Sequence, residues 1–344
     1  MEDKFVRTVR VCEDVNHFEI CSIEKPKLKA NSALVRMEAA FLPPYMEHLP
    51  GGGWPTPPRP FTPGQCAIGV VEAVDDRASQ LKVGQRVYCD MYIESHGAKN
   101  EADHGFIGCF GVAEGAAKHL AEWPDGSFGE YICAPTECFT PVPEEVQATP
   151  EVLCRLGWFG TAYAGLERGG FKPGMTVAVN GASGLLGTSA AMMALALGAG
   201  EVQLFGRREP VLEEIQSISP RCKIGKCEDS RPIDLLIDCA GGDNTALTEQ
   251  LIGRLRRFGN AVFIGALTAP LSIDASILMR NGNSLIGSFW FPRETAARVL
   301  SLVATGVLDL SLLRVETYSI DEIEDAVKAS VENSGGLFHI ALTS

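Results

Sequence analysis

The stretch Thr176–Arg208, TVAVNGASGLLGTSAAMMALALGAGEVQLFGRR, decides the fold. An apolar run, Thr176–Val179, meets a turn that holds Gly181, Gly184 and Gly187. A long Ala/Met/Leu segment follows, and a second apolar run, Val202–Phe205, closes the stretch. Strand, glycine-rich turn, helix and strand in this order form the unit that seats a dinucleotide pyrophosphate on a helix N-terminus. A glycine pattern alone says little, but flanked by these elements it is specific. The alternative is a strand-turn-helix whose glycines serve packing only.

The chain has 344 residues, 46% hydrophobic and 21% charged, which suits two globular domains with a core each. Its 43 acidic against 30 basic side chains, a net charge of −13, speak against nucleic acid or anionic membrane as partner, since both demand a basic surface. The 11 cysteines fall in no C-x-x-C spacing, and the start, MEDKFVRTVR, has no apolar signal region. The expectation is a reduced, cytoplasmic compartment. The most apolar helical stretch, Ala190–Leu197, is too short to span a bilayer.

Up to about Pro150 the pattern is β-rich and irregular. Alternating segments stand at Ala33–Ala40, Gly69–Val74 and Arg86–Cys89, separated by Pro/Gly clusters such as LPGGGWPTPPRPFTPG, Leu49–Gly64. This predicts an antiparallel, barrel-like domain. From Val152 to Pro292 strands alternate with helices: strands at Ile233–Asp238, Asn260–Ile264 and Ser284–Gly287, with a helix at Ala246–Arg257. That is a doubly wound α/β domain with a parallel sheet. The connection Arg208–Pro232 leaves room only for a brief third strand near Cys222–Ile224 and no helix after it. The tail predicts a helix Glu294–Thr305, a strand Arg314–Tyr318, a helix Ile320–Ser330 and a strand Leu337–Leu342. The expected division is 1–151 with 293–344 as one domain and 152–292 as the dinucleotide-binding domain, with the cofactor cleft between them.

Around the turn, Ser183, Gly184, Leu185, Leu186 and Gly187 are the expected pyrophosphate contacts. The second strand ends in Gly206-Arg207-Arg208, where an NAD-binding unit usually places a carboxylate for the ribose hydroxyls. Two guanidiniums and no carboxylate suit a 2′-phosphate, so the cofactor is read as NADPH; solvated surface arginines are the alternative. The ends of the next strands, Cys239-Ala240 and Ile264-Gly265, lie on the same carboxyl edge and are nicotinamide-side candidates, or simply strand ends. Phe289 completes the set.

With these residues in view, the chain resembles the medium-chain dehydrogenase/reductase superfamily, and more closely its zinc-free, quinone-oxidoreductase-like branch. The resemblance rests on LVRMEAAFLPPYM (Leu34–Met46), PGQCAIGVVEAV (Pro63–Val74), LKVGQRVY (Leu81–Tyr88) and DGSFGEYICAP (Asp125–Pro135). It continues in GTAYAGL (Gly160–Leu166), FKPGMTVAVNGASGLLG (Phe171–Gly187) and LMRNGNSLIGSF (Leu278–Phe289). It implies a GroES-like barrel domain interrupted by a Rossmann domain, and a hydride transfer between a nicotinamide cofactor and a small molecule. It further implies a homodimer through the edge strand Ser284–Phe289; the alternative is a strand covered within its own chain.

The departures bear on the chemistry. Zinc-dependent members place a Cys where this chain has Pro43, and their Gly-His-Glu stands here as Gly64-Gln65-Cys66. Their third ligand would fall on Gly157, so no catalytic zinc is expected. Cys89 and Cys109 stand alone where a structural zinc lobe would need clustered cysteines. His96, Asp103, His104 and Cys109 are otherwise metal-like, but their irregular spacing also suits a plain polar loop.

Without zinc, reduction of an activated C=C is the easier chemistry, since an enolate oxygen can be held by hydrogen bonds. Tyr45 is the candidate donor on the segment that faces the cofactor in the family, against a Tyr merely packed in the barrel. Thr161 resembles the family Thr beside the nicotinamide, against a structural helix Thr. Tyr92, Trp158 and Trp290 are candidate walls of an apolar substrate pocket, against core packing. His339 stands where relatives often carry a base near the cofactor phosphates, against a satisfied surface His. The leading expectation is a zinc-independent NADPH-dependent reductase of an enone- or quinone-type C=C. The alternatives are a carbonyl reductase or alcohol dehydrogenase without zinc, and a non-catalytic NADPH-binding protein.

Overall fold

The computed structural model describes every residue except 1–3, 14, 53, 76–80, 95–103, 113–114, 227 and 244. The chain divides into two compact units, 1–156 with 313–334 and 339–344, and 157–312 with 335–338. The helix Glu294–Ala304, expected with the tail, stays in the second unit. Its buried Ala296, Val299 and Leu300 recur at helical spacing, and Arg298 meets Glu167 at 3.0 Å. The chain therefore crosses back at Leu313 and not at residue 293.

The second unit is built on six parallel strands in the spatial order Cys222–Ile224, Glu201–Phe205, Thr176–Asn180, Ile233–Asp238, Leu255–Phe263 and Ser284–Gly287. Val177, Val179, Val202, Leu204 and Leu235 to Ile237 are fully buried, as strands covered on both faces must be. The order turns back between Thr176–Asn180 and Ile233–Asp238, the switch point outside which such sheets bind ligands. The helix Leu185–Ala196 is buried on nearly all sides, which explains why its sequence shows no polar stripe.

Two elements differ from expectation. The helix expected over Ala246–Arg257 ends at Ile252, because Leu255 turns into the sheet and pairs with Ile233. Leu251 and Leu255 are four apart and mimic one helix face, yet both serve the core under the sheet. The strand thus begins at Leu255 with a register shift, and Phe258 sits there at φ 65°. A short helix, Ala275–Asn281, was not foreseen; Asp274 caps its start and Gly282 its end. Between Cys222–Ile224 and Ile233–Asp238 no helix occurs among the described residues.

In the first unit the long strand Ser32–Leu42 is the hub. It pairs antiparallel with Ala67–Val74, Tyr131–Pro135 and Phe338–Thr343. Arg86–Cys89 and Phe139–Pro141 extend the sheet on one side and Arg314–Ser319 on the other. A hairpin, Phe5–Arg10 with Glu19–Glu24, stands beside it. No helix of the described residues is long and apolar enough to cross a membrane.

His339, expected at a surface, is instead fully buried in this unit. Its Nε2 lies 2.9 Å from the Glu151 carbonyl and its ring packs on Phe41, 5.6 Å between centroids. Burial, helped by the charge of Arg155, pushes its pKa from 6.5 down to about 3, so the ring is neutral and is no phosphate-binding cation. An unfolded chain takes up this proton below its ordinary value while the folded chain does not, so stability falls as pH drops from about 6.5 toward 3. Between pH 6 and 4, denaturant titrations should show wild type losing about 1.4 kcal/mol per pH unit more than His339→Gln. Parallel curves for the two proteins would contradict this placement.

Candidate active site

The glycine-rich turn gathers the cofactor residues of the second unit. Gly184 precedes the helix Leu185–Ala196 in extended conformation, with no side chain capping the helix. The first-turn amides of Leu185, Leu186 and Gly187 are therefore placed as a phosphate seat requires. Gly187 is there for contact: a Cβ would lie 2.2 Å from the Gly181 carbonyl oxygen. At Gly184 the nearest atom to a Cβ is that same oxygen, at 3.3 Å, so its bareness leaves an approach open. These are the features a dinucleotide pyrophosphate needs, and the residues fit it.

The Ser183 carbonyl ties this turn to two distant segments. It accepts from the Gly336 amide at 3.1 Å and from the Arg208 guanidinium. Arg208 also lies flat against Gly335, where a Cβ would meet its Nη2 at 1.7 Å. The two arginines read alike in the sequence and differ here. Arg208 is engaged in holding the turn, whereas exposed Arg207 makes no hydrogen bond or ion pair with another described residue. Gly206 passes close to Ser183, its absent Cβ falling 2.7 Å from Ser183 Oγ.

The adjoining loops are stitched from below. Buried Asp238 accepts from Asn180 at 3.0 Å, Thr248 at 2.7 Å and the Ala240 amide at 3.0 Å. Its carbonyl accepts from both the Ile264 and Gly265 amides at 2.9 Å. Cys239-Ala240 and Ile264-Gly265 are thereby set side by side, and a side chain on Gly265 would strike the Ala240 carbonyl. Burial, then the nearby Asp238, pushes the Cys239 thiol up, so it remains protonated. Thr161 spends its proton on the Gly157 carbonyl at 2.9 Å. Trp158 and Trp290 meet edge to face at 6.0 Å, with Phe291 stacked on Trp290 at 4.7 Å. Trp290 holds φ 52°, uncommon for a bulky residue. Phe289 is half exposed.

The candidates of the first unit also converge. Tyr45 sits in a short 3-10 turn, Pro44–His48, and its phenol donates to Gln65 Oε1. Burial raises the phenol pKa well above its ordinary value, with the Cys109 and Cys66 thiols adding to the shift, so it is a neutral donor. Gln65 itself is buried, and its Nε2 has no hydrogen-bond partner. A buried amide N–H left unmatched is costly, and this one is free to donate to an incoming acceptor. In the sequence, Gln65 stands out only as a missing zinc ligand. Tyr45 contacts Trp54 (5.9 Å), which continues through Phe110 (5.0 Å) and Phe106 (5.4 Å) to Tyr92 (5.3 Å). Trp54, Phe106 and Phe110 had no periodic signal, because they lie in loops and a three-residue strand. Tyr92 is pinned by His104 Nδ1 at 2.9 Å.

Catalytic zinc does not fit these residues. Gln65 is engaged with Tyr45, and Cys66 accepts from Tyr88 at 3.3 Å. Among the described residues, neither Cys66 nor Cys109 belongs to a group of three ligand atoms within metal-binding reach. His96 and Asp103 of the metal-like cluster lie outside the described residues.

The family model for the alcohol dehydrogenase GroES-like domain matches residues 29–144. An alcohol dehydrogenase of Geobacillus stearothermophilus is 28% identical over 329 residues, 90% of this chain and 92% of that protein. The mouse quinone oxidoreductase is 20% identical over 301 residues, 83% and 80% of the two chains. A solved structure from Sinorhizobium meliloti 1021, described as a zinc-binding dehydrogenase bound to NADP, superposes with TM-score 0.83 at 22% identity over 99% of both chains. These matches establish the GroES-like plus Rossmann-like fold and support the medium-chain dehydrogenase/reductase superfamily.

Gly187→Ala should destabilise the chain by about 2 kcal/mol or more, while Gly184→Ala stays folded but weakens NADPH at least tenfold in fluorescence titration. Equal effects on stability would contradict the assigned roles. Arg207→Ala should weaken NADPH far more than NADH, whereas Arg208→Ala, which loosens the turn, should weaken both. Equal loss of both cofactors in Arg207→Ala would remove that residue from the 2′-phosphate.

Proposed function

We propose that this chain is an NADPH-dependent oxidoreductase that reduces the activated C=C of an enone- or quinone-type small molecule without catalytic zinc. The observation that carries this reading is the Tyr45–Gln65 pair, in which Gln65 stands where zinc-dependent members of the resembling family place a His and is held by the Tyr45 phenol. When bound, the nicotinamide supplies the hydride. Hydride addition at the β-carbon of an enone pushes negative charge onto the carbonyl oxygen. The Gln65 Nε2–H group, buried and unmatched, is the donor offered to that oxygen. The neutral Tyr45 phenol, donating its one proton to Gln65 Oε1, holds the amide in this orientation, and a proton taken up at the α-carbon completes the saturated product. Within the first unit, the aromatic run from Tyr45 to Tyr92 supplies an apolar wall beside this pair.

Arg207 and the NADP-bound structural neighbour support NADPH over NADH. That neighbour's description as zinc-binding is not carried over, because Pro43, Gln65 and Gly157 offer no ligand set. The alcohol dehydrogenase relatives favour a second reading, in which the same Gln65 donor serves a ketone or aldehyde. On either reading the open sheet edge at Ser284–Gly287, where Leu285 is exposed, would be the seam of a homodimer.

The test is NADPH consumption against enones, quinones, aldehydes and ketones, before and after exhaustive chelation. Turnover of enones or quinones that survives chelation is expected; activity restored only by added Zn2+ would overturn the reading. Tyr45→Phe should lower kcat at least tenfold and Gln65→Leu by about a hundredfold, the size seen when one oxyanion donor is removed. Unchanged rates in both would take the pair out of the chemistry.

A further inference from the structure

We infer that the N-terminal hairpin carries a site for a divalent cation of the zinc class, built from Cys12, Glu19 and Cys21 with His17 as fourth ligand. The sulfur atoms of the two cysteines and a Glu19 carboxylate oxygen lie within 4.8 Å of one another. Zinc bonds of about 2.3 Å to sulfur and 2.0–2.2 Å to oxygen would draw such a set together by roughly an ångström. The exposed His17 imidazole, 3.5 Å from the Glu19 carboxylate, stands outside that three-atom group and would swing inward as the fourth ligand on binding.

Strand geometry accounts for the convergence. His17, Glu19 and Cys21 alternate along one strand and its approach, so they share a face. Arg10 pairs with Glu19 and Thr8 with Cys21, which puts Cys12, two residues past Arg10, on that same face. Arg10 would be an unwelcome cation there, but its guanidinium is turned to Asp125 at 2.6 Å and to Thr62. The intervening loop is held at both ends. Arg59 donates to the carbonyls of Cys12 (3.2 Å) and Val15 (2.8 Å), and Glu324 accepts from the Phe18 amide at 2.9 Å. The ligand bearers are thus partly preorganised.

Donor type selects the ion. Two thiolates, a carboxylate and an imidazole suit zinc-class ions and not magnesium or calcium. Burial, with the Glu19 and Cys21 neighbours, pushes the Cys12 thiol up to about 11, so without a cation that thiol stays protonated. Binding replaces two S–H protons by two metal–sulfur bonds and releases the protons to solvent, which makes uptake steeper at higher pH. None of these ligands belongs to the Tyr45–Gln65 pair, so the site is structural and the zinc-free chemistry does not depend on it.

The experiment adds Co2+ anaerobically to the reduced, chelator-stripped full chain and follows absorbance. One equivalent per chain is expected, with thiolate-to-cobalt charge transfer in the near ultraviolet, bleached by Zn2+. Cys12→Ser and Cys21→Ser should abolish the band, and Glu19→Gln should weaken cobalt at least tenfold while circular dichroism and NADPH binding stay unchanged. The proposal is overturned by absence of the band, by its persistence in the double serine variant, or by unaltered affinity in Glu19→Gln. It is equally overturned if Cys12 and Cys21 merely oxidise to a disulfide and the reduced form takes no cobalt.

Discussion

A helix can start directly on the end of a buried strand only if nothing projects where the two backbones meet. Here that place is Gly187, whose missing side chain lets the helix come within contact of the Gly181 carbonyl. The approach aims the first-turn amides along the carboxyl edge of the sheet, where ligands of this fold class bind. The Ser183 carbonyl, bound by Arg208 and by the Gly336 amide, then locks the turn to the second strand and to a late segment of chain. One consequence is a difference between neighbouring arginines: Arg208 is engaged in holding the turn, whereas Arg207 is exposed.

Much of the second unit was legible because its signals are local. The apolar runs at Thr176–Val179 and Ile233–Asp238, the glycine turn and the brief Cys222–Ile224 strand all follow from neighbouring residues. The misplaced end of the Ala246–Ile252 helix shows the limit, since a leucine four residues on looks the same whether it continues a helix or enters a sheet. His339 misled for another reason. A polar residue in a strand reads as surface, and only the tertiary fold reveals that a backbone carbonyl waits for it inside. Gln65 was visible as a departure from a zinc site, but its unmatched amide is a property of three-dimensional packing alone.

The proposed reduction relies on uncharged donors in the first unit in place of a metal. A metal acts on an oxygen through charge, and uncharged donors compensate by being fixed and dry, so that little reorganisation is needed as charge develops. Gln65, buried and oriented by Tyr45, has that character, and the high pKa of the phenol keeps its proton in place. The thiols around it, Cys66, Cys89, Cys109 and Cys154, are all buried, and burial pushes those of Cys89, Cys109 and Cys154 up in pKa. They pack as small apolar groups and not as nucleophiles. The one set of donors with metal geometry among the described residues lies on the N-terminal hairpin, with a different ligand chemistry and a different role.

The central claim is that hydride goes to carbon of an activated C=C and not to carbon of a C=O. The most direct measurement is label transfer: the enzyme is supplied with NADPH carrying deuterium at the nicotinamide C4 and with an enone, and the product is located by NMR. The account predicts deuterium on the β-carbon of a saturated ketone. Deuterium on the carbinol carbon of an allylic alcohol would contradict it and make the chain a carbonyl reductase.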